Sequence, residues 1–360
     1  MRKPLVLLCA VAALLTTGVA AQQPPIYAPL GGIPVLDTYL ESLRQQAGIP
    51  GMSAAIVHDG TIIWERGYGF ENSTSRIRAT PDTPYLAGDL SGTLAAVLVL
   101  QCMEQRKIEL DQPVAKYGVE GDASGATARQ LLSHTFRATA DTPFTYAPDL
   151  YAHLTRVVEF CAEQPYRKAA TARILEQRAM FDSVPGLDMR RPEGQDAADE
   201  WFDNGDYDRY RRVLDRLAVP YKVDSRGRSE RTELTPVGMN AAGGLVTTVR
   251  DLAKFDAALE SELLLRSDTR DLAWTPTVNS LGAITPTGLG WFVQNYRGEK
   301  IVWHFGLVLN AYSSLVIKLP ARHLTYILLA NSDRLSSPFK LESGDVTSSV
   351  FATVFLRLIS

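Results

Sequence analysis

Hydrophobic and polar residues follow different periods along the chain, and each period predicts a different element. Residues 35–47 place apolar side chains at helical spacing, and residues 48–51 (GIPG) end that helix. Two β-rich runs, SAAIVH and TIIWERGYGF, then flank the pair Asp59-Gly60. Both positions of such a turn need positive φ, so residues 53–70 are predicted to form a β-hairpin.

The middle of the chain has helical patterns. Residues 90–106 (LSGTLAAVLVLQCMEQR) are apolar nearly all round, which predicts a helix buried on most of its surface. Residues 128–202 alternate helical segments with loops, and the charged stretch at 190–210 is predicted to cross the surface. Residues 241–259 predict a Gly-Gly turn followed by an amphipathic helix.

Four β-rich runs follow one another between residues 288 and 332: GLGWFVQNY, KIVWHFG, AYSSLVIKL and LTYILLANS. A last apolar run, 348–360, favours a helix packed on the sheet. Strands at both ends and helices between them predict an α/β (α+β) fold, in which one antiparallel sheet is flanked by helices and carries an inserted helical subdomain. We place the sheet part at approximately 33–88 and 236–360, and the helical part at approximately 89–235.

The first 21 residues differ from the rest of the chain. Arg2 and Lys3 precede an apolar run at 4–15, and a series of small residues ends at Ala21. This pattern is typical of a secretory signal peptide, so we predict an exported protein with a mature domain of residues 22–360. The apolar run is short for a bilayer span, and a retained N-terminal anchor is the alternative. We expect no transmembrane helix in the mature chain.

Composition excludes some functions. The net charge is −3 and no basic run stands out, so we expect no nucleic-acid partner. The five histidines are scattered, and no Cys/His cluster has metal-ligand spacing, so we expect neither a metal nor another cofactor. Cys9 lies in the signal peptide, whereas Cys102 and Cys161 lie in helix-like contexts. Export makes a disulfide between them possible, and two buried thiols are the alternative.

A series of motifs spans nearly the whole mature chain. In order, these are GIPGMSAAIVHDGTIIWERGYGF, TPDTPYLAGDLSGT, IELDQPVAKY, TARQLLSHT, TYAPDLY, AAGGLVTTVRDLAKF, GLGW and WHFG before AYSSL. Together they resemble the β-lactamase-related serine hydrolases, which include class C β-lactamases, penicillin-binding proteins of the DD-peptidase type and related esterases. The resemblance implies the serine β-lactamase/penicillin-binding-protein fold.

The first catalytic motif of that family, Ser-x-x-Lys, lacks both of its reactive residues here. The usual context F-x-x-G-S-x-x-K-T matches YLAGDLSGT, so the resemblance places Asp89 at the serine position and Gly92 at the lysine position. Ser91 is turned by about 200° from the nucleophile's helix face, and we expect it to be packed or solvent-facing. Asp89 is expected to cap the helix N-terminus, which makes it a weak base, and a general base or acyl acceptor is the alternative.

The second motif, Tyr-x-Asn, reads Tyr146-Ala147-Pro148. The tyrosine of the family shares the proton transfer and the amide holds substrate, so the resemblance retains Tyr146, but Pro148 has no group to replace the amide. Whether Tyr146 faces a cleft or is packed in the loop is left open. His134, in LLSHT, is interpreted as a satisfied core or turn histidine.

The third motif, Lys-Thr-Gly or His-x-Gly on the strand beside the active site, reads His304-Phe305-Gly306. His304 and Gly306 are therefore candidate substrate-binding residues. The following residues, 307–311 (LVLNA), depart from the glycine-rich pattern of the family. In active relatives a backbone N–H of this strand helps to form the oxyanion hole, and we expect Leu307 and Leu309 to narrow or fill the adjoining space.

These losses predict a pseudoenzyme: an exported protein, periplasmic or secreted, that is inactive by the acyl-serine route. Its role is interpreted as binding or scaffolding in the cell envelope, with a cell-wall fragment, a small molecule or an envelope protein as partner. A purely structural assembly module is a further reading. The alternative is a residual or altered hydrolase of β-lactam, peptide or ester bonds, which uses water or an unrecognised nucleophile near Asp89, Tyr146 and His304.

Overall fold

The structure is a computed structural model that describes residues 31–191 and 198–359. The predicted signal peptide lies outside the described residues. In chain order, the strands are β1 (Gly51–His58), β2 (Thr61–Asn72), β3 (Ile77–Arg78), β4 (Tyr85–Leu86), β5 (Tyr221–Val223), β6 (Ser229–Arg231), β7 (Val246–Thr247), β8 (Phe292–Tyr296), β9 (Glu299–Val308), β10 (Tyr312–Leu319) and β11 (Leu324–Ala330). The helices are α1 (Ile33–Gln46), α2 (Ser91–Glu104), α3 (Ala128–Leu132), α4 (Leu154–Ala162), α5 (Tyr166–Ala170), α6 (Asn204–Leu214), α7 (Val249–Glu260), α8 (Ser267–Ala273) and α9 (Val350–Ile359).

The main sheet joins the two ends of the described chain. Its order is β3-β2-β1-β11-β10-β9-β8, and every neighbouring pair is antiparallel. The predicted hairpin β1–β2 turns at Asp59 and Gly60, whose φ angles of 48° and 71° are those the turn requires. The N-terminal and C-terminal strands meet where Ile56 pairs with Tyr326. The mixed fold with an antiparallel sheet flanked by helices is confirmed.

Two hydrophobic cores cover the two faces of this sheet, because successive side chains of a strand point to opposite faces. On β11, Tyr326 and Leu328 belong to the core that contains α1 and α9, and the Tyr326 ring stacks on Phe355 at 4.3 Å. Ile327 and Leu329 belong to the other core, which contains α2 and α7. The predicted C-terminal helix therefore packs on the sheet, as expected.

The helix α2 is central to the second core. Its side chains are buried without interruption from Ser91 to Leu100, as the apolar pattern predicts. A disulfide between Cys102 and Cys161, with their Cα atoms 5.9 Å apart, ties α2 to α4. Of the two alternatives for these cysteines, the structure contains the disulfide. Within the described ranges, we find no helix whose length and apolar character would allow it to cross a bilayer.

Candidate functional site

The predicted nucleophile position lies in a short 3₁₀ turn, Gly88–Leu90, that leads directly into α2. Gly88 has a φ of 62°, and a Cβ there would lie 2.7 Å from the backbone nitrogen of Leu307 on β9. The positive φ and the close approach to Leu307 both exclude a residue with a side chain at position 88. Gly88 allows the turn to lie against β9, which brings Asp89 beside Leu307.

Gly306, on β9, also allows the strand and the 3₁₀ turn to lie close together. A Cβ at this position would lie 1.9 Å from the carbonyl oxygen of Ala87 and 2.4 Å from Ser314 Oγ. The Ser314 hydroxyl donates a hydrogen bond of 2.8 Å to that same carbonyl. Gly306 therefore positions the backbone of the site, and it does so by having no side chain.

The interpretation of Asp89 as a helix cap is wrong. No side chain makes a capping hydrogen bond at the start of either the 3₁₀ turn or α2. The carboxyl group turns instead towards β9 and Tyr146, where tertiary contacts determine its environment. Burial raises the pKa of Asp89 to about 7, although the N–H of Leu307 and the hydroxyl of Tyr146 act in the opposite direction. The Asp89 carboxyl group was expected to be a weakly basic anion, but it titrates near neutrality.

Tyr146 lies between Asp89 and an aromatic cluster. Its ring centroid is 4.7 Å from that of His134, 5.2 Å from Phe305 and 5.5 Å from Phe292. Burial, followed by the charge of Asp89, raises the pKa of the Tyr146 hydroxyl well above its ordinary value. The hydroxyl is buried and has no well-aligned hydrogen-bond partner in the described part of the chain, so its attraction to Asp89 is mainly electrostatic. The residue as a whole is partly exposed.

The two histidines near Tyr146 are neutral. Burial lowers the pKa of His304 to about 4 and that of His134 to about 3. His304 Nδ1 lies 2.7 Å from the carbonyl oxygen of Phe305, and His134 Nδ1 accepts a hydrogen bond of 3.2 Å from the N–H of Ala147. His134 is thus a satisfied turn histidine. His304 is only 3% exposed and is one of the residues that line a small cavity of about 30 Å³.

The space beside Gly92 is occupied by Tyr151. A Cβ at Gly92 would lie 2.9 and 3.0 Å from two carbons of the Tyr151 ring. That ring is stacked on His134 at 5.0 Å, and its hydroxyl donates a hydrogen bond of 2.7 Å to the carbonyl oxygen of Leu132. Tyr151 is the last residue of the TYAPDLY motif, and the sequence alone did not indicate this role. The side chain that the family has at this position has no room here.

Ser91 is packed, in agreement with the prediction. Its hydroxyl donates a 2.7 Å hydrogen bond to the carbonyl oxygen of Gly88 and accepts one of 3.3 Å from the N–H of Leu245. Both partners are backbone groups, and the residue is fully buried. Ser91 therefore stabilises the junction between the turn and α2 and is not available as a nucleophile.

Pro148 of the second motif and the two leucines that follow the third motif lie in different surroundings. Pro148 is the first residue of a 3₁₀ helix, Pro148–His153, where its missing N–H is not needed. Leu307 is partly exposed. Leu309 is 65% exposed, so the expectation that it fills the adjoining space is wrong. It lies in the tight β9–β10 turn, where Asn310 has a φ of 59° and directs the chain back into the sheet.

The assembled site contains one titratable carboxyl group, one buried phenol and a backbone donor, which are supplied by Asp89, Tyr146 and Leu307. None of the groups that shift the pKa of Asp89 is a cation. Across residues 31–191 and 198–359, no group of three or more His, Cys, Asp or Glu side chains is arranged to hold a metal ion. Such a site can exchange a proton and pair with a donor or a cation.

Comparison with curated proteins gives short matches. The mitochondrial serine beta-lactamase-like protein LACTB of Bos taurus is 28% identical over 102 residues, which are 26% of this chain and 18% of that protein. Protein flp of Staphylococcus aureus is 26% identical over 112 residues, which are 29% of this chain and 22% of that protein. The chain therefore spans only about a fifth of the length of these curated relatives.

Solved structures and a family profile match far more of the chain. The octameric penicillin-binding protein homologue from Pyrococcus abyssi has a TM-score of 0.68 at 21% identity, over 84% of this chain and 74% of that one. The D-amino acid amidase from Ochrobactrum anthropi SV3 has a TM-score of 0.65 at 19% identity, over 90% of this chain and 98% of that one. At such identities the likeness concerns the fold. The family profile described as Beta-lactamase matches residues 36–344, and the chain therefore belongs to the beta-lactamase family.

Proposed function

We propose that this protein is an exported, non-catalytic member of the family that uses its remodelled site for binding in the cell envelope. The observation that carries the proposal is the close approach of the Gly88–Leu90 turn to β9: a Cβ at Gly88 would lie 2.7 Å from the backbone nitrogen of Leu307, and the N–H of Leu307 lowers the pKa of the adjacent Asp89 carboxyl group. If Asp89 stands at the serine position, its own carboxyl group occupies the donor that would otherwise polarise a substrate carbonyl. The site is then blocked by the residue that replaced the nucleophile.

The expected losses in catalytic rate favour a non-catalytic site. Loss of the nucleophile and base of a serine hydrolase lowers kcat by about 10⁶-fold, and loss of one oxyanion donor costs about 10²- to 10³-fold. A carboxylate that attacked an ester or a β-lactam would form an anhydride, and it would first have to leave the N–H of Leu307, which stabilises its charged form. The ring of Tyr151 beside Gly92 also leaves no place for a replacement base.

Export is proposed from two features. The pattern of residues 1–21 is typical of a signal peptide. The disulfide between Cys102 and Cys161 is of a kind that persists in oxidising compartments such as the periplasm. Cell fractionation followed by N-terminal sequencing tests this part of the proposal: a periplasmic or secreted protein that begins at Gln22 supports it, and a cytoplasmic protein that begins at Met1 contradicts it.

The absence of turnover is tested with a chromogenic cephalosporin and p-nitrophenyl acetate. Asp268→Asn is a matched control because it makes the same chemical change at a distant point. Asp268 contacts Arg266, and Arg266 contacts Glu104, the last residue of α2. This 14-residue helix is about 20 Å long, so the control lies far from Asp89. We expect no turnover above background from the wild type, Asp89→Asn or Asp268→Asn. Turnover by the wild type that Asp89→Asn abolishes and Asp268→Asn retains would overturn the proposal.

A residual hydrolase is the second candidate, and the titration of Asp89 favours it. A carboxyl group with a pKa of about 7 is suited to general-base catalysis at neutral pH. In that case p-nitrophenyl acetate hydrolysis should rise with pH through about 7 and should be lost in Asp89→Asn. A rate that equals the buffer rate at every pH excludes this candidate.

A further inference from the structure

A short hairpin between α8 and β8 presents aliphatic side chains to solvent. Val278 and Ile284 pair across it as antiparallel partners, and Leu281 lies in the turn that joins them. Their exposed fractions are 58%, 75% and 56%, although these residue types are ordinarily buried in cores. The pair lies between two hydrogen-bonded positions of the hairpin, where side chains on opposite strands are closest. Val278 and Ile284 therefore form one apolar patch, which Leu281 extends at the tip.

The hairpin is held in its conformation by hydrogen bonds, so the exposure of the patch is set by the fold. Asn279 is the main support. Its Oδ1 accepts hydrogen bonds of 2.9 and 3.0 Å from the backbone N–H groups of Leu281 and Ala283. Its Nδ2 donates a hydrogen bond of 2.9 Å to the carbonyl oxygen of Pro143. A loop that is already ordered loses less conformational entropy when it docks on a surface, which favours binding.

The chemistry of the patch matches a lipid surface. Residues 272–296 contain no charged side chain, so this segment loses no hydrated charge when its tip enters an apolar phase. The other exposed side chains of the hairpin, those of Thr275 and Ser280, are small and carry only a hydroxyl group. Apolar faces that lie on a membrane are buried about 5–10 Å into the boundary between head groups and acyl chains. Three residues of extended chain on either side of the tip span about this depth.

A protein partner fits the patch less well. Specific interfaces bury about 800 Å² and roughly 20–30 residues on each side, whereas the patch consists of three side chains. The residues that dominate binding energies between proteins are Trp, Tyr and Arg, while Leu and Val are under-represented among them. Residues 275–287 contain no Trp, Tyr or Arg. A lipid surface needs no minimum number of contacts, because each buried apolar group adds to the free energy of partitioning.

We propose that Val278, Leu281 and Ile284 dock the protein on the surface of a phospholipid bilayer. The proposal goes beyond the binding function of the candidate site, and it holds whether or not that site is catalytic. The three side chains are more than half exposed, so burial of each should raise partitioning about tenfold. Together they should raise it roughly a thousandfold, which gives reversible binding of the kind that a single acyl chain supports.

The docked hairpin lies beside the chain segment that carries Tyr146. The Asn279 amide bonds the carbonyl oxygen of Pro143, three residues before Tyr146. At the base of the hairpin, the Thr287 hydroxyl donates a hydrogen bond of 2.7 Å to the carbonyl oxygen of Ser133. Docking therefore places this wall of the candidate site close to the lipid surface.

The test uses the mature chain, residues 22–360, which lacks the N-terminal apolar run, and vesicles of phosphatidylcholine, which carry no net charge. Cosedimentation measures the bound fraction of the wild type, of the triple variant Val278→Thr, Leu281→Ser, Ile284→Thr and of the control Leu263→Ser. Leu263 is 60% exposed and lies in the turn after α7, so the control removes an equally exposed leucine outside the hairpin. Thermal melting establishes that each variant is folded.

A single labelled cysteine gives a second measurement that needs only one substitution. Cys102 and Cys161 are joined in the disulfide, so Leu281→Cys introduces the one free thiol of the mature chain. Leu263→Cys is the matched control. The emission of a nitrobenzoxadiazole label on this thiol shifts to the blue when the label passes from water into lipid.

We expect the wild type and Leu263→Ser to bind vesicles equally, at low and at high salt, and the triple variant to bind at least a hundredfold more weakly. The label at position 281 should shift on addition of vesicles, and the label at position 263 should not. No binding by the wild type, equal binding by the triple variant, or a blue shift at both positions would overturn the proposal. Self-association of the wild type in sedimentation velocity that the triple variant abolishes, without vesicle binding, would assign the patch to a second copy and would also overturn it.

Discussion

Asp89 should make the folded protein less stable as the pH rises, and Asp89→Asn should remove this effect. The pKa of the carboxyl group is about 7 in the folded protein, against 3.8 for an unperturbed aspartate. Because the folded state holds the proton more tightly, the stabilising contribution is fully present below pH 4 and is lost as the pH rises through about 7. The full difference corresponds to about 4 kcal/mol, since each pKa unit is worth about 1.4 kcal/mol.

The measurable effect should be smaller, because the Asp89 side chain is partly exposed and solvent screens its charge. We therefore expect Asp89→Asn to raise the free energy of unfolding by about 1–2 kcal/mol at pH 8 and to leave it nearly unchanged at pH 4. Urea denaturation of the wild type, Asp89→Asn and Asp268→Asn at pH 4, 6 and 8 measures this difference. A stability difference that is the same at all three pH values, or a variant less stable at pH 8, refutes the reasoning about burial.

Further predictions concern the backbone contacts and the disulfide. Gly92→Ala should lower the free energy of unfolding by about 1–3 kcal/mol, because its Cβ would overlap the Tyr151 ring, and urea denaturation should show that Tyr151→Ala relieves part of this loss. Gly306→Ala should prevent folding, as judged by circular dichroism, since a Cβ would lie 1.9 Å from a backbone oxygen. Replacing Cys102 and Cys161 by serine opens a loop with a separation of 59 residues and should cost about 4 kcal/mol by urea denaturation.

Features encoded by local sequence were predicted correctly. The hairpin follows from Asp59 and Gly60, whose tolerance of positive φ is a property of those two residues alone. The burial of α2 follows from its uninterrupted apolar run. The order of strands and helices predicted that the two ends of the chain share one sheet, because this order leaves few other ways to bury the strands.

Predictions that depended on tertiary contacts failed. Asp89 has the residue type and the position of a helix cap, yet its carboxyl group turns to β9, about 220 residues away in sequence. Leu309 was expected to fill the site because of its size, but the turn of Asn310 directs it to solvent. The Tyr151 ring beside Gly92 lies on a different element, so no spacing rule in the sequence relates the two.

The central claim is that the site forms no acyl-enzyme, and intact-protein mass spectrometry after incubation with excess benzylpenicillin tests it most directly. An active serine member of the family serves as the positive control under the same conditions. We predict that the mass of the mature chain stays unchanged while the control gains the mass of the antibiotic. A stoichiometric adduct, mapped by peptide analysis to the segment containing Asp89 and Ser91, would contradict the account.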